Sequence, residues 1–173
     1  LDTQGKVIFP GLINTHHHFY SAMAKGLSPL GEVKNFQDRL KYLWWKLDKA
    51  LDMEAIQLSV LLSLLDCIRS GVTTIFDHHS SPGTILGSLN SISAMVKEAG
   101  LQSVLCYEVS DRNGKRVFRK SLDENLTFIE EHLNDNQTRG MLGLHANFTL
   151  SENSLTEIAK HFNPDIGIHI HCG

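Results

Sequence analysis

Pro10-Gly11-Leu12-Ile13-Asn14-Thr15-His16-His17-His18 ends an extended apolar run in three consecutive imidazoles, and its reading decides the fold. In an extended backbone, residues two apart project to the same side, so His16 and His18 can share one ion while His17 points away. Neutral imidazole suits zinc or iron, and two ligands from one rigid strand end lower the entropic cost of a site. The alternative is a solvated histidine-rich turn. The apolar lead-in from Phe9 to Asn14 argues against a tag-like tail.

A second pair stands far along the chain, in Ile168-His169-Ile170-His171-Cys172-Gly173. His171, nearer the strand tip, is the expected third ligand. His169 lies a layer deeper and is expected to be a core histidine satisfied by a neighbouring carbonyl. His145, in Gly143-Leu144-His145-Ala146, ends another strand and is expected to touch substrate at the same mouth. Asp77-His78-His79 closes a further strand, and whether either imidazole lines a pocket stays open. His132 and His161 fall on expected helices, at the surface. Trp44 and Trp45 read as core or interface packing.

Between these motifs, short strand-like runs alternate with amphipathic stretches. Strands are expected over 7–14, 72–77, 101–109, 140–145 and 166–171, with helices over 53–70, 85–99 and 151–162. Residues 19–52 form a long irregular connection with an aromatic helical patch around Tyr42, and such connections are often functional. Gly71 sits where a helix wants a left-handed cap. Ser121-Leu122-Asp123-Glu124 has the form of a capping box opening one more helix, carried on by Leu126, Ile129 and Leu133. Strands separated by helices run parallel. About five parallel strands and four helices make an α/β fold: an open doubly wound sheet or part of a (β/α)₈ TIM-like barrel. In both, ligands gather at the C-terminal ends of the strands, where these histidines lie.

The 173 residues are 42% hydrophobic and 20% charged, an ordinary globular balance. A net charge of -3 removes any electrostatic case for nucleic acid or an anionic membrane. Three widely spaced cysteines without a CxxC pair point to a reducing, cytoplasmic setting. No stretch is apolar enough to span a membrane. Leu1-Asp2-Thr3-Gln4-Gly5-Lys6 opens mid-phrase, so the chain is expected to be an internal piece of a longer protein.

His16-x-His18 preceded by Pro10-Gly11-Leu12-Ile13-Asn14 resembles the amidohydrolase superfamily, in its cytosine/guanine deaminase and chlorohydrolase branch. The wording from His16 to Gly26 is similar to aminohydrolases linked to selenium metabolism. The resemblance implies that residues 1–7 leave a small β-domain and that 8–173 form the first half of the barrel. It implies one divalent ion, zinc before iron, on His16, His18 and His171, and a substrate contact from His145. A catalytic glutamate is expected just beyond Gly173, with further ligands on later strands. No lysine stands near the end of the fourth strand, which matches the mononuclear subtype.

The implied chemistry is hydrolysis of a C–N bond in a heterocyclic or amidine-like small molecule. An ion lowers the pKa of its bound water from about 15.7 to about 7, which provides hydroxide near neutrality. Halide displacement of the chlorohydrolase type uses the same parts. A non-catalytic metal-binding barrel with a regulatory or assembly role is the alternative from a different class. A homo-oligomer is the expected assembly. Five strands of an unclosed barrel leave two bare edges, so these residues alone are not expected to be a stable, active monomer.

Overall fold

The computed structural model describes residues 2–172. Strand β1 spans Leu12–His17 and leads through a 3₁₀ turn into a broken helical stretch. That stretch comprises α1 (Phe36–Arg39), a wide π turn (Leu40–Trp44) and α2 (Trp45–Ala50). Then follow α3 (Met53–Arg69), β2 (Val72–His79), α4 (Ser88–Glu98), β3 (Gln102–Tyr107) and α5 (Lys115–Glu131). The chain continues through β4 (Thr138–Gly140), β5 (Leu142–Ala146), α6 (Glu152–Ala159) and β6 (Ile168–His171). No helix among the described residues is long and apolar enough to cross a membrane.

Every strand pairing is parallel: β1, β2, β3 and β4 lie side by side in that order, and β5 pairs with β6. The two sheets are continuous through Val109, whose N–H donates to Gly143 O (3.0 Å) and whose carbonyl accepts from His145 N (2.9 Å). The expected fourth strand over 140–145 is therefore two segments. At Met141 the backbone still donates to Leu105 O, while Leu142 already donates to Gly167 O, so the strand changes partners there. Asn125 holds this junction. Its amide oxygen accepts from Tyr107 N (2.9 Å) and Gly143 N (3.2 Å), and its NH₂ donates to Tyr107 O (2.8 Å). Gly143 is required at this crossing, because a Cβ there would lie 2.3 Å from Tyr107 O.

Two other expectations shift. The first strand begins at Leu12, where Gly71 O accepts its N–H (2.9 Å). Upstream, Val7, Ile8 and Phe9 are irregular and about three-quarters exposed, having no neighbour to pair with. The Ser121–Glu124 motif opens no helix, since α5 starts six residues earlier and buries both residues in its interior. Glu124 caps a different helix: its carboxylate accepts from Gly87 N (2.8 Å) and Leu89 N (2.9 Å) at the start of α4. Glu124→Ala strands those two amides and is expected to cost about 2 kcal/mol in chemical unfolding of the full-length protein. An unchanged midpoint would remove this bridge between helices from the account.

Elsewhere the expected punctuation holds. Asp52 caps α3 by accepting from Ala55 N (2.8 Å), and Gly71 closes it at a φ of 74°. The core lies between sheet and helices, built from Ile56, Val60, Ile75, Leu89, Ile92, Leu105 and Phe128. A second cluster under α5 and α6 holds Val109, Leu122, Leu142, Leu144 and Ile158. All three cysteines are free.

Candidate metal centre

The C-terminal ends of the parallel strands converge on one rim, and the sequence places chemistry there strand by strand. β1 delivers His16 and His18 to the same side, as a period of two dictates. His17 turns away and donates from Nδ1 to Asp77 Oδ1 (2.9 Å), which also takes Phe19 N (2.7 Å). Asp77, fully buried, therefore fixes the histidine-bearing turn.

β6 brings His171 across 155 residues to His16. Nε2 of His171 is 3.3 Å from Nε2 of His16 and 3.3 Å from Nε2 of His18. The opposite ring nitrogens are all committed. His18 Nδ1 donates to His78 O (2.6 Å), His171 Nδ1 to His145 O (2.5 Å), and His16 Nδ1 to His169 Nε2 (2.7 Å). A neutral imidazole with its proton on Nδ1 presents a bare lone pair on Nε2. Three such lone pairs thus face one point, an arrangement that is repulsive without a cation between them. A tetrahedral ion with Zn–N of about 2.05 Å separates its ligand nitrogens by about 3.3 Å. The residues present fit such an ion. Burial first, and then the neighbouring charge of His171, lowers the pKa of His16. Burial likewise lowers His18, which keeps these rings unprotonated and able to bind.

His169 differs from expectation: its acceptor nitrogen meets the ring of His16, with no carbonyl involved. A partner on the far ring nitrogen orients a ligating imidazole as a carbonyl would. The open question at β2 also closes. His78 is fully buried within the imidazole cluster, 4.7 Å ring to ring from His171, and neither of its nitrogens has a hydrogen-bond partner. His79 turns the other way to Ser81 Oγ (2.9 Å), and burial pushes its pKa down to about 4. His132 is less exposed than expected, stacked on Phe128 at 4.3 Å and bonded to Asp135 and Asn90.

Sequence reasoning missed Glu108. It follows β3, is 4% exposed, and sits 3.3 Å from His78 Nδ1 and 3.7 Å from His18 Nδ1. His18, His78, Glu108 and His171 offer potential ligand atoms that all lie within 4.8 Å of one another. An acid at the end of an apolar strand was the available signal. Asp48 and Arg112 gave none, being 64 residues apart, yet they form a buried ion pair to which Ser80 adds a hydrogen bond from each side.

Beside the imidazoles opens a cavity of about 330 Å³. Tyr20, Phe36, Trp44, Trp45 and Phe148 wall it, so the two tryptophans face a ligand space and are not simple packing residues. Glu108, Arg112 and His145 supply its polar end. His145 Nδ1 meets Thr149 Oγ1 (2.9 Å), whose own proton goes to Ala146 O (2.8 Å). Nδ1 is therefore the donor, and Nε2 carries a lone pair, not a proton for a substrate carbonyl. Burial holds the His145 pKa down at about 4, against the pull of Glu108.

Parallel strands with returning helices, and imidazoles converging at the strand tips, define the first half of a (β/α)₈ barrel built around a cation site. Residues 7–173 match the amidohydrolase family, and the chain belongs to it. It is 31% identical to a 5'-deoxyadenosine deaminase of Methanocaldococcus jannaschii, over 98% of this chain and 39% of that protein. The chain thus spans well under half the length of this relative. Its fold resembles that of an adenosine deaminase from Xanthomonas campestris with bound zinc (TM-score 0.73, 15% identity, 94% of this chain and 36% of that one). It also resembles the atrazine chlorohydrolase of Arthrobacter aurescens TC1 complexed with zinc (TM-score 0.66, 16% identity, 94% and 40%).

Proposed function

We propose that the full-length protein is a metal-dependent aminohydrolase that replaces an amino group on a small heterocycle with oxygen, releasing ammonia. The observation that carries this reading is the convergence of three Nε2 lone pairs, from His16, His18 and His171, beside an aromatic-walled cavity. The deaminase name of the 31%-identical relative supports it. A divalent ion, zinc by preference, supplies a water acidic enough to be hydroxide near neutral pH.

The chain's own residues do the rest. His16, His18 and His171 hold the ion, and His169 orients His16 through its Nδ1. The aromatic walls sandwich a flat ring and exclude bulk water, which strengthens each polar contact inside. His145 presents its Nε2 lone pair to an N–H of the ring or of the departing amino group. Proton transfer to the leaving nitrogen belongs to the carboxylate expected beyond Gly173, outside this chain.

The test takes full-length protein, elemental analysis, and ammonia assays on purines, pyrimidines and triazines. About one zinc-class ion per chain and ammonia release that chelation abolishes and zinc restores are expected. Metal-loaded protein that frees no ammonia from any ring would sink the reading, and chloride release from a chlorotriazine alone would move it to halide displacement.

A further inference from the structure

Resting on the aminohydrolase reading, we propose that the ring taken by this cavity is a lactam, with an N–H beside the carbon that loses its amino group and a carbonyl farther along the same edge. Glu108 accepts the N–H, and Arg112 donates to the carbonyl.

The polar end of the cavity is short of donors on one side and of acceptors on the other. Glu108 Oε2 is buried, has no hydrogen-bond partner, and lies 3.7 Å from His145 Nε2. That nitrogen carries a lone pair, as the Thr149 contact requires, so two acceptors face each other with nothing between them. His18 Nδ1, also near this carboxylate, is already spent on the His78 carbonyl. A buried acceptor left unmatched costs about 1–3 kcal/mol, which a ligand N–H at this point recovers. A lactam nitrogen and the adjacent departing amino group bring two such donors.

Arg112 has the opposite surplus. Nη2 serves Asp48 and Ser80, while Nε and Nη1 have no partner, and the guanidinium lies 5.4 Å over the Trp45 ring. Nη2 is 3.9 Å from Glu108 Oε2, so acceptor and donor stand close enough to read neighbouring N–H and C=O groups of one ring edge. An adenine-type edge fits poorly. It would set a ring-nitrogen lone pair against the Glu108 carboxylate and give Arg112 no oxygen. A sugar diol does not answer to Glu108 either, because this carboxylate touches His18 and His145 at the reacting end of the cavity.

The experiment uses full-length, zinc-loaded protein. Ammonia release is compared for guanine, isocytosine and pterin against adenine, adenosine and 5'-deoxyadenosine. In parallel, calorimetry compares binding of hypoxanthine, a lactam without the amino group, with that of purine. We expect kcat/KM for the lactams to exceed the others by about 100-fold or more, hypoxanthine to bind more tightly than purine, and Glu108→Gln to erase both preferences with zinc content intact. Preference for adenine-type rings, or a lactam preference unchanged in Glu108→Gln, overturns the inference and leaves an aminohydrolase. Loss of zinc in Glu108→Gln also overturns it, by making Glu108 a part of the metal centre. Glu108-dependent hypoxanthine binding with no ammonia from any ring keeps the lactam and removes the aminohydrolase.

Discussion

His18→Ala is expected to strip the bound ion from the full-length protein, with zinc falling from about one equivalent to background. Turnover should fall about a thousand-fold or more, because the ion stabilises developing charge by several kcal/mol. His171→Ala should behave alike, since both rings present Nε2 to the same point and both are oriented by a carbonyl. The neighbours make the result specific. His17→Ala should keep its zinc, because His17 bonds Asp77 and faces away from the cluster. His169→Ala should be intermediate, weakening zinc affinity about 10–100-fold, because it frees His16 to rotate without removing a ligand. Zinc measured by inductively coupled plasma spectrometry and competition with a chelator reads all four. Full zinc retention in His18→Ala would mean the ion sits elsewhere.

The second large effect concerns folding. Expressed alone, residues 1–173 are expected to give no cooperative unfolding transition and to sediment as aggregate, not monomer. Leu12 and Ile13 of β1 are more than half exposed, and Val7, Ile8 and Phe9 before them more so. On α3, Leu58, Leu61, Leu62, Leu65 and Ile68 are each nearly half exposed along one helix. At the opposite sheet edge Ile168 is 42% exposed. Burying one large apolar side chain contributes roughly 1.5–3 kcal/mol, so leaving this many in water removes more than a typical domain's whole margin. Open strand edges add a template for intermolecular pairing. A sharp melting curve from a monomer of these residues would show that the half-barrel closes on itself in solution.

Much of this was legible residue by residue. Helix–strand alternation, the Gly71 cap and the two-residue spacing of His16 and His18 are local properties, fixed by backbone geometry and readable without a partner. Capping went wrong for a physical reason. A carboxylate relieves unpaired amides wherever they lie in space, and Glu124 serves α4 from inside α5. Asn125 was silent for the same reason, since its role exists only where β3 and β5 part company. Trp44 and Trp45 read as packing because an aromatic pair looks alike against a core or a ligand.

The amino-acid sequence by itself determined the parallel α/β plan and the His16, His18 and His171 constellation, because periodicity sets which side chains share a face. Only the tertiary structure decided that the three Nε2 atoms point at one another, that His169 backs His16, and that Glu108 and Arg112 meet at the cavity. Those depend on ring orientation and on contacts spanning up to 155 residues, which are set by packing and hydrogen bonding across strands and not by any local pattern.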